Sequence, residues 1–311
     1  MSRSADTTDA GSMSKAATSV RSLGPVSVTA SPAPSRTSRG PKTRNCMTPI
    51  YRCRASLWLP SAPNLSVSEP SGMTSNINPM TDNSHGVARL RDLFESFPKR
   101  TLGALVLPGF QALDLWGPLE VFGDCAPAIE PVLVGLETGP VASMQGPRAL
   151  AEHSLESSPR LDLLLVPGGD VAPHLGDARL KKWIRAISLD AEIVMSVCNG
   201  AVILADSGVL EGRRATTNKA LFSSIAFANP DVAWVRRARW VDDGKYVTSS
   251  GVSAGIDMAL AVIAHLAGEQ AALALATWIE YEPHRDPTWD PFGAIHGLDA
   301  APDEGNRGSS A

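Results

Sequence analysis

Two rhythms of apolar spacing alternate along the chain from about Arg100 onward. The runs TLGALVLP (Thr101 to Pro108), PVLVGLE (Pro131 to Glu137) and LDLLLVPGGD (Leu161 to Asp170) are short and almost continuously apolar. Such runs predict strands covered on both faces. Between them the spacing changes to that of helices. QALDLWGPLEVFGDC (Gln111 to Cys125) has it, with Pro118 expected to open a new helical turn. ARLKKWIRAISLD (Ala178 to Asp190) places Leu180, Trp183, Ile184 and Ile187 on one face.

EIVMSVCNGAVILADSG (Glu192 to Gly208) supplies a strand and then a helix, with Cys198, Asn199 and Gly200 at the corner. Further on, RRATTN predicts a short strand and KALFSSIAFANP a helix. VAWVRRARWVDDGKYVTSSG predicts two strands around an Asp243-Gly244 turn. SAGIDMALAVIAHLAG predicts a helix capped by Ser253, and EQAALALATWIEYEP a last one. Strands alternating with helices imply an α/β fold, a mostly parallel sheet with helices on both faces.

Residues 1 to 95 carry no such rhythm. They are rich in Ser, Thr, Pro and Arg. Up to Pro60 there are nine basic residues against two acidic ones. A segment of this kind buries too little apolar surface to offset its ordering entropy, and predicts disorder. It also has the composition of an organellar transit peptide. Met73 and Met80 offer alternative starts. Within the region, VARLRDLFESF (Val87 to Phe97) has the spacing of an amphipathic helix. The organisation expected is therefore an extension over 1–95, one domain over 96–297 and a flexible tail over 298–311. A cytoplasmic location is expected, or a mitochondrial one if the extension targets.

Charge and cysteine content narrow the function. Net charge is −4, which argues against a nucleic-acid partner. No apolar run reaches the roughly 18 residues of a spanning helix, so no membrane partner is expected. Cys46, Cys53, Cys125 and Cys198 form no CxxC pair and no dense framework. Neither a disulfide scaffold nor a zinc site is expected. His284 and His296 with Asp286 and Asp290 lie among prolines that deny them a common helical face, so no metal is expected there either.

In a parallel sheet, sites form beyond the C-terminal strand ends, where Cys198 falls. Helix N–H groups there would favour the thiolate. Asn199 and Gly200 allow the tight turn of a nucleophile elbow. The opposing reading is a cysteine that merely packs, which suits Cys125. Gly168 and Gly169 end another strand, and their N–H groups, with that of Asn199, could hold developing negative charge. Asp114, among Leu113, Leu115 and Trp116, should keep its proton and could share it with the Cys198 sulfur. The opposing reading for Asp114 is a first-turn acid of its helix. Ser250, Ser253 and Asp257 read as a capped helix start. His174 reads as a solvent-facing loop residue.

LPGFQALDLWGPLEVFG, LLLVPGGD, SVCNGAVILADSGVLEGRRATTN and TSSGVSAGIDMALAVIAHLAG resemble, in that order, the ThiJ/PfpI superfamily of class I glutamine amidotransferase-like domains. The resemblance implies a flavodoxin-like three-layer sandwich and a homodimer. It is nearest the isonitrile hydratase-like branch, with Asp114 as acid and Cys198 as nucleophile. It implies a small-molecule substrate, no cofactor, and hydration of an isonitrile to an N-substituted formamide through a thioimidate on Cys198. Trp116, Leu115 and Trp240 would line the site apolarly. Thr217 joins Gly168, Gly169, Asn199 and Trp116 as expected substrate-holding residues.

Two positions depart from that branch. Asn199 stands where Thr is usual, and an amide does not relay protons as a hydroxyl does. Asn218 stands where His is frequent. A glyoxalase- or deglycase-like activity, a redox sensor or chaperone, and a small-molecule regulator stay open. A glutaminase or protease is disfavoured, because the late GVSAGID segment lacks the histidine such triads need. The ending YEPHRDPTWDPF (Tyr281 to Phe292) reads as a clasp at an edge or a dimer contact.

Overall fold

A computed structural model describes residues 90–299, all in the second of the chain's two units, Thr74–Ala311. The expectations for residues 1–89 and 300–311 lie outside the described residues.

The described chain enters on helical residues 90–95 (α1). Leu90 and Phe94, four apart, are buried on one face while the intervening residues are exposed, as the amphipathic spacing predicts. β1 (Arg100–Val106) follows, then α2 (Ala112–Gly123) and β2 (Ile129–Gly135). A hairpin, β3 (Gly139–Ala142) and β4 (Arg148–Ala151), leads to β5 (His153–Ser154). Next come β6 (Leu163–Val166), α3 (Ala178–Asp190), β7 (Ile193–Ser196) and α4 (Gly200–Asp206). The chain continues through β8 (Arg214–Ala215), α5 (Phe222–Ala228), β9 (Ala233–Trp234), β10 (Trp240–Asp243) and β11 (Tyr246–Ser249). It closes with α6 (Ala254–Ala267), α7 (Glu269–Trp278) and α8 (Pro291–Ile295).

Seven strands form one sheet in the order β10-β11-β7-β6-β1-β2-β5. Only the β10–β11 pair is antiparallel. Alternate side chains leave opposite faces. Leu102, Ala104, Val106, Leu163, Leu165, Ile193 and Met195 enter a core under α2, α6 and α7. Leu105, Leu164, Val166 and Val194 enter a second core under α3 and α4. Both faces are covered, which is why the strands read as unbroken apolar runs. This is the flavodoxin-like three-layer arrangement. No described helix is long and apolar enough to cross a membrane.

The structure revises several local expectations. Pro118 lies inside α2 and opens no new helix. Its missing N–H leaves the carbonyl of Asp114 without a helical partner, and its ring is seated against Gly255 of α6. RRATTN forms the expected short strand at Arg214–Ala215, but outside the main sheet, paired with β9 in a two-stranded ribbon. Ser253 occupies the N-cap position of α6 but makes no side-chain cap bond.

The ending is a clasp. Arg239, just before edge strand β10, donates its backbone N–H to the carbonyl of Pro287 at 2.7 Å. Its guanidinium contacts the Asp257 carboxylate at 2.5 Å and lies over the Trp289 ring. Asp257 also accepts from the Tyr281 hydroxyl and the His284 backbone N–H. The His284 ring stacks on Trp289 at 3.8 Å. Asp257 is thus a structural hub, in line with its reading from sequence.

Candidate active site

β7 ends at Ser196 and α4 begins at Gly200, so three residues make the corner. Cys198 sits on it with φ +59°, the left-handed region. A non-glycine residue pays about 1–2 kcal/mol for that conformation. The surroundings hold it: the Cys198 N–H donates to the carbonyl of Ser250 at 3.1 Å. The Thr217 hydroxyl donates to the Cys198 carbonyl at 3.0 Å. Gly200 is required because a β-carbon there would fall 2.1 Å from the carbonyl oxygen of Val166. The nucleophile elbow is present as geometry.

Asp114 projects from the first turn of α2 and is fully buried. One carboxyl oxygen, Oδ2, accepts the Gly168 N–H at 3.0 Å. The other, Oδ1, has no hydrogen-bond partner among the described residues. Cys198 is the side chain that faces the carboxyl. Burial pushes the Asp114 pKa up to about 7, against the lowering effects of the Gly168 N–H and of Cys198. Burial thus raises the proton affinity of the acid that lies beside the sulfur.

The same surroundings work against the expected thiolate. Burial, and then the negative charge of Asp114, push the Cys198 pKa up to about 12. Three donors act in the other direction: the N–H of Asn199, the Asn218 side chain and the N–H of Val252. They do not win. α4 is only seven residues long, and Cys198 is just 7% exposed. Desolvation outweighs so short a run of peptide dipoles. Both the burial and the neighbouring carboxylate favour the thiol over the thiolate.

The other expected residues divide. Neither Gly168 nor Gly169 offers a free amide for an anion hole. The Gly168 N–H is held by Asp114, and the Gly169 N–H donates to Asn199 Oδ1 at 2.8 Å. Asn199 returns a bond from Nδ2 to the Gly169 carbonyl at 2.8 Å. Thr217 is fully buried and holds the elbow, so it is not a substrate contact. Trp116 is 47% exposed. It lies roughly 200° around α2 from Asp114, and no described contact joins it to Cys198. Leu115 is buried in the core, and Trp240 lines a separate cavity with Asp257 and His284. His174 is 9% exposed, with Nε2 on the carbonyl of Pro108 at 3.0 Å. It does not face solvent as expected.

An apolar-walled groove lies beside the elbow and reaches it at Asn199. A groove of about 520 Å³ runs over Gly169 and Asn199, walled by Met144, Val171, Ala172 and Leu221, with Asp170 at its side. Met144 follows β3, in a hairpin whose strands, GPVA and RALA, are too short and too rich in Gly, Pro and Ala to read as strands. Asn218 is the main site residue not assigned a role from sequence. Its Oδ1 accepts the N–H groups of Ala220 and Leu221, which turns the amide nitrogen toward the elbow. The signal was there: an Asn immediately before a helical run is a local turn former. Val252, with φ +34°, carries no such signal.

Cys125 is the inert thiol expected. It is fully buried, donates to the carbonyl of Val121 at 3.3 Å, and burial raises its pKa. His284, Asp286 and Asp290 are each engaged with other partners: Trp289, Thr288 and Lys219.

Fold and corner together define an α/β protein with a cysteine on a strand-to-helix elbow, facing a buried carboxyl. The chain belongs to the DJ-1/PfpI family, whose pattern matches residues 102–265. An isonitrile hydratase from Pseudomonas putida is 35% identical over 184 residues, 58% of this chain and 78% of that protein. The HTH-type transcriptional regulator CdhR of Pseudomonas aeruginosa is 29% identical over 173 residues, 54% of this chain and 51% of the regulator. Among solved structures, a ThiJ/PfpI family protein from Pseudomonas syringae aligns with TM-score 0.57 at 27% identity, over 65% of this chain and 86% of that one. Drosophila melanogaster DJ-1beta aligns with TM-score 0.53 at 20% identity, over 59% and 99%, a likeness of fold alone.

Proposed function

We propose that this chain is a cysteine-dependent hydratase that adds water to an isonitrile and releases an N-substituted formamide. The observation that carries the reading is geometric: a fully buried Asp114 carboxyl, held by the Gly168 N–H, faces Cys198 on its strand-to-helix corner. An isonitrile carbon accepts first a proton and then a nucleophile. Asp114 transfers its proton to that carbon, forming the C–H bond. The Cys198 sulfur then bonds to the same carbon, and the thiol proton passes to the Asp114 carboxylate. The product is a thioimidate. Water adds to its carbon as the nitrogen takes a proton from Asp114, and the water's proton restores the acid. The C–S bond breaks as the carbonyl forms, the hydroxyl proton passes to sulfur, and the formamide leaves. A protonated thiol is no handicap in this sequence, because the substrate is charged before the sulfur is needed. The groove walled by Met144, Val171, Ala172 and Leu221 suits an apolar substituent on nitrogen. The 35% identity to an isonitrile hydratase supports the same reaction class.

The test is turnover of an alkyl isonitrile by the reduced full-length protein. Formamide should form, and the rate should fall as pH rises through about 7, where Asp114 loses its proton. Cys198→Ala and Asp114→Asn should each abolish turnover while keeping the fold. Unchanged isonitrile in the wild-type assay sinks the proposal. A ligand-sensing role, suggested by the likeness to CdhR, would then be the reading to pursue.

A further inference from the structure

Asn199 offers two polar side-chain atoms, and both close on one residue. Oδ1 accepts the Gly169 N–H and Nδ2 donates to the Gly169 carbonyl, each at 2.8 Å. This is a two-point clamp between the elbow and the turn after β6. Gly168, the neighbouring residue in that turn, donates its N–H to Asp114 Oδ2. Space at the junction is minimal. A β-carbon on Gly168 would fall 2.2 Å from Asn199 Oδ1 and 2.9 Å from Asp114 Oδ2. Asn199 and Asp114 therefore meet across one glycine, and the Gly168–Gly169 peptide is held at its N–H by Asn199 and at its carbonyl by the Gln111 N–H, each at 2.8 Å.

We propose that Asn199 is a positioning residue: by clamping Gly169 at both its N–H and its carbonyl, it aims the Gly168 N–H at Asp114 and so sets the carboxyl's orientation toward Cys198. With both polar atoms occupied, Asn199 does not carry protons. Its contribution is to hold one donor on the ionised form of the acid. Cys198 is the titratable group that faces that acid, and the Gly168 N–H is its other polar contact. Without the clamp the turn keeps its bonds to Gln111 and Gly109 but loses its anchor on the elbow side, and the Gly168 N–H is held less closely on Asp114. The carboxylate then loses stabilisation by that donor, and the acid binds its proton more tightly. The role rests on the Cys198–Asp114 chemistry proposed above, but its test does not need turnover.

The full chain, labelled with carboxyl-¹³C aspartate, gives the Asp114 titration directly, with Asp114→Asn identifying the resonance. Loss of a hydrogen bond to a charged group corresponds to about one to two pKa units. The Asp114 midpoint should rise by that amount in Asn199→Ala and in Asn199→Ser, whose side chain is too short to span both Gly169 atoms. In the isonitrile assay the same variants should lower kcat more than they raise KM. Thr217→Val, which loosens the elbow without touching the glycine turn, should leave the midpoint where it is. A folded Asn199→Ala with an unmoved midpoint overturns the proposal. If that variant does not fold, the wild type decides. Asn199 amide protons that exchange with water as fast as those of an exposed asparagine also overturn it, and strong protection supports it. Absence of isonitrile turnover in the wild type would remove the substrate assignment and leave the midpoint result standing.

Discussion

At the scale of single residues, the site is organised by what burial does to two acids of different strength. Asp114 and Cys198 are both taken out of water, and both bind protons more tightly than they would in a peptide. For Asp114 this has a thermodynamic cost with a definite sign. Its folded pKa lies above the unfolded value of 3.8. The folded state holds the extra proton between about pH 4 and 7, so the carboxyl's contribution to stability falls as pH rises through that window. Asp114→Asn should therefore be the more stable protein at pH 8, on the order of 2–4 kcal/mol, with the advantage vanishing near pH 4. Urea unfolding at the two pH values checks this. An equal or larger gain at pH 4 would show that Asp114 is not held against its charge. Apolar neighbours in the sequence were enough to anticipate this acid. The burial of Cys198, which favours its thiol, could not be read from a turn motif.

At the scale of elements, the parallel strands and their helices were legible because each strand is covered on both faces and each long helix shows one apolar stripe. What escaped was short: the β3–β4 hairpin, the two-residue β5 and β9, and the pairing of β8 outside the main sheet. Their residues are placed by neighbours and not by a hydrophobic period. The anion hole was misread for a related reason. A Gly-Gly pair signals close backbone approach, but not which group approaches. Here the partners are protein atoms, Asp114 and Asn199. The turn after β6 is consequently intolerant of bulk. Gly168→Ala should destabilise the protein by about 1–3 kcal/mol, as overpacking does, and reduce isonitrile turnover sharply. Thermal denaturation and rate assays on the purified variant test both. Wild-type behaviour would mean that the turn yields more readily than its 2.2 Å gap allows.

At the scale of the molecule, residues beyond the family-matched segment 102–265 reach back to the site. Lys219 follows Asn218, is 3% exposed, and contacts Asp290 at 3.1 Å and the Thr216 hydroxyl at 2.6 Å. Asp290 also caps α8 through the N–H groups of Phe292 and Gly293. One buried ion pair thus joins the C-terminal clasp to the segment that holds the elbow. In the sequence Asp290 drew notice only as a rejected metal ligand and Lys219 not at all, because a lone lysine and an aspartate far along the chain form no pattern. Asp290→Ala leaves the ammonium buried alone and should cost about 3–5 kcal/mol, whereas Lys219→Met with Asp290→Leu should recover much of that loss. Urea melts of the single and double variants give the comparison. A mild single-variant effect would mean that water reaches the lysine.

The high proton affinity of the Cys198 sulfur carries a consequence for chemical probes. Haloacetamides and maleimides wait for an ionised sulfur, so at neutral pH they should label this protein slowly despite its corner cysteine. Compounds basic enough at carbon to be protonated on arrival meet a donor and a thiol in the order they require. A covalent reagent selective for this pocket is better sought among such acid-triggered electrophiles than among soft alkylators.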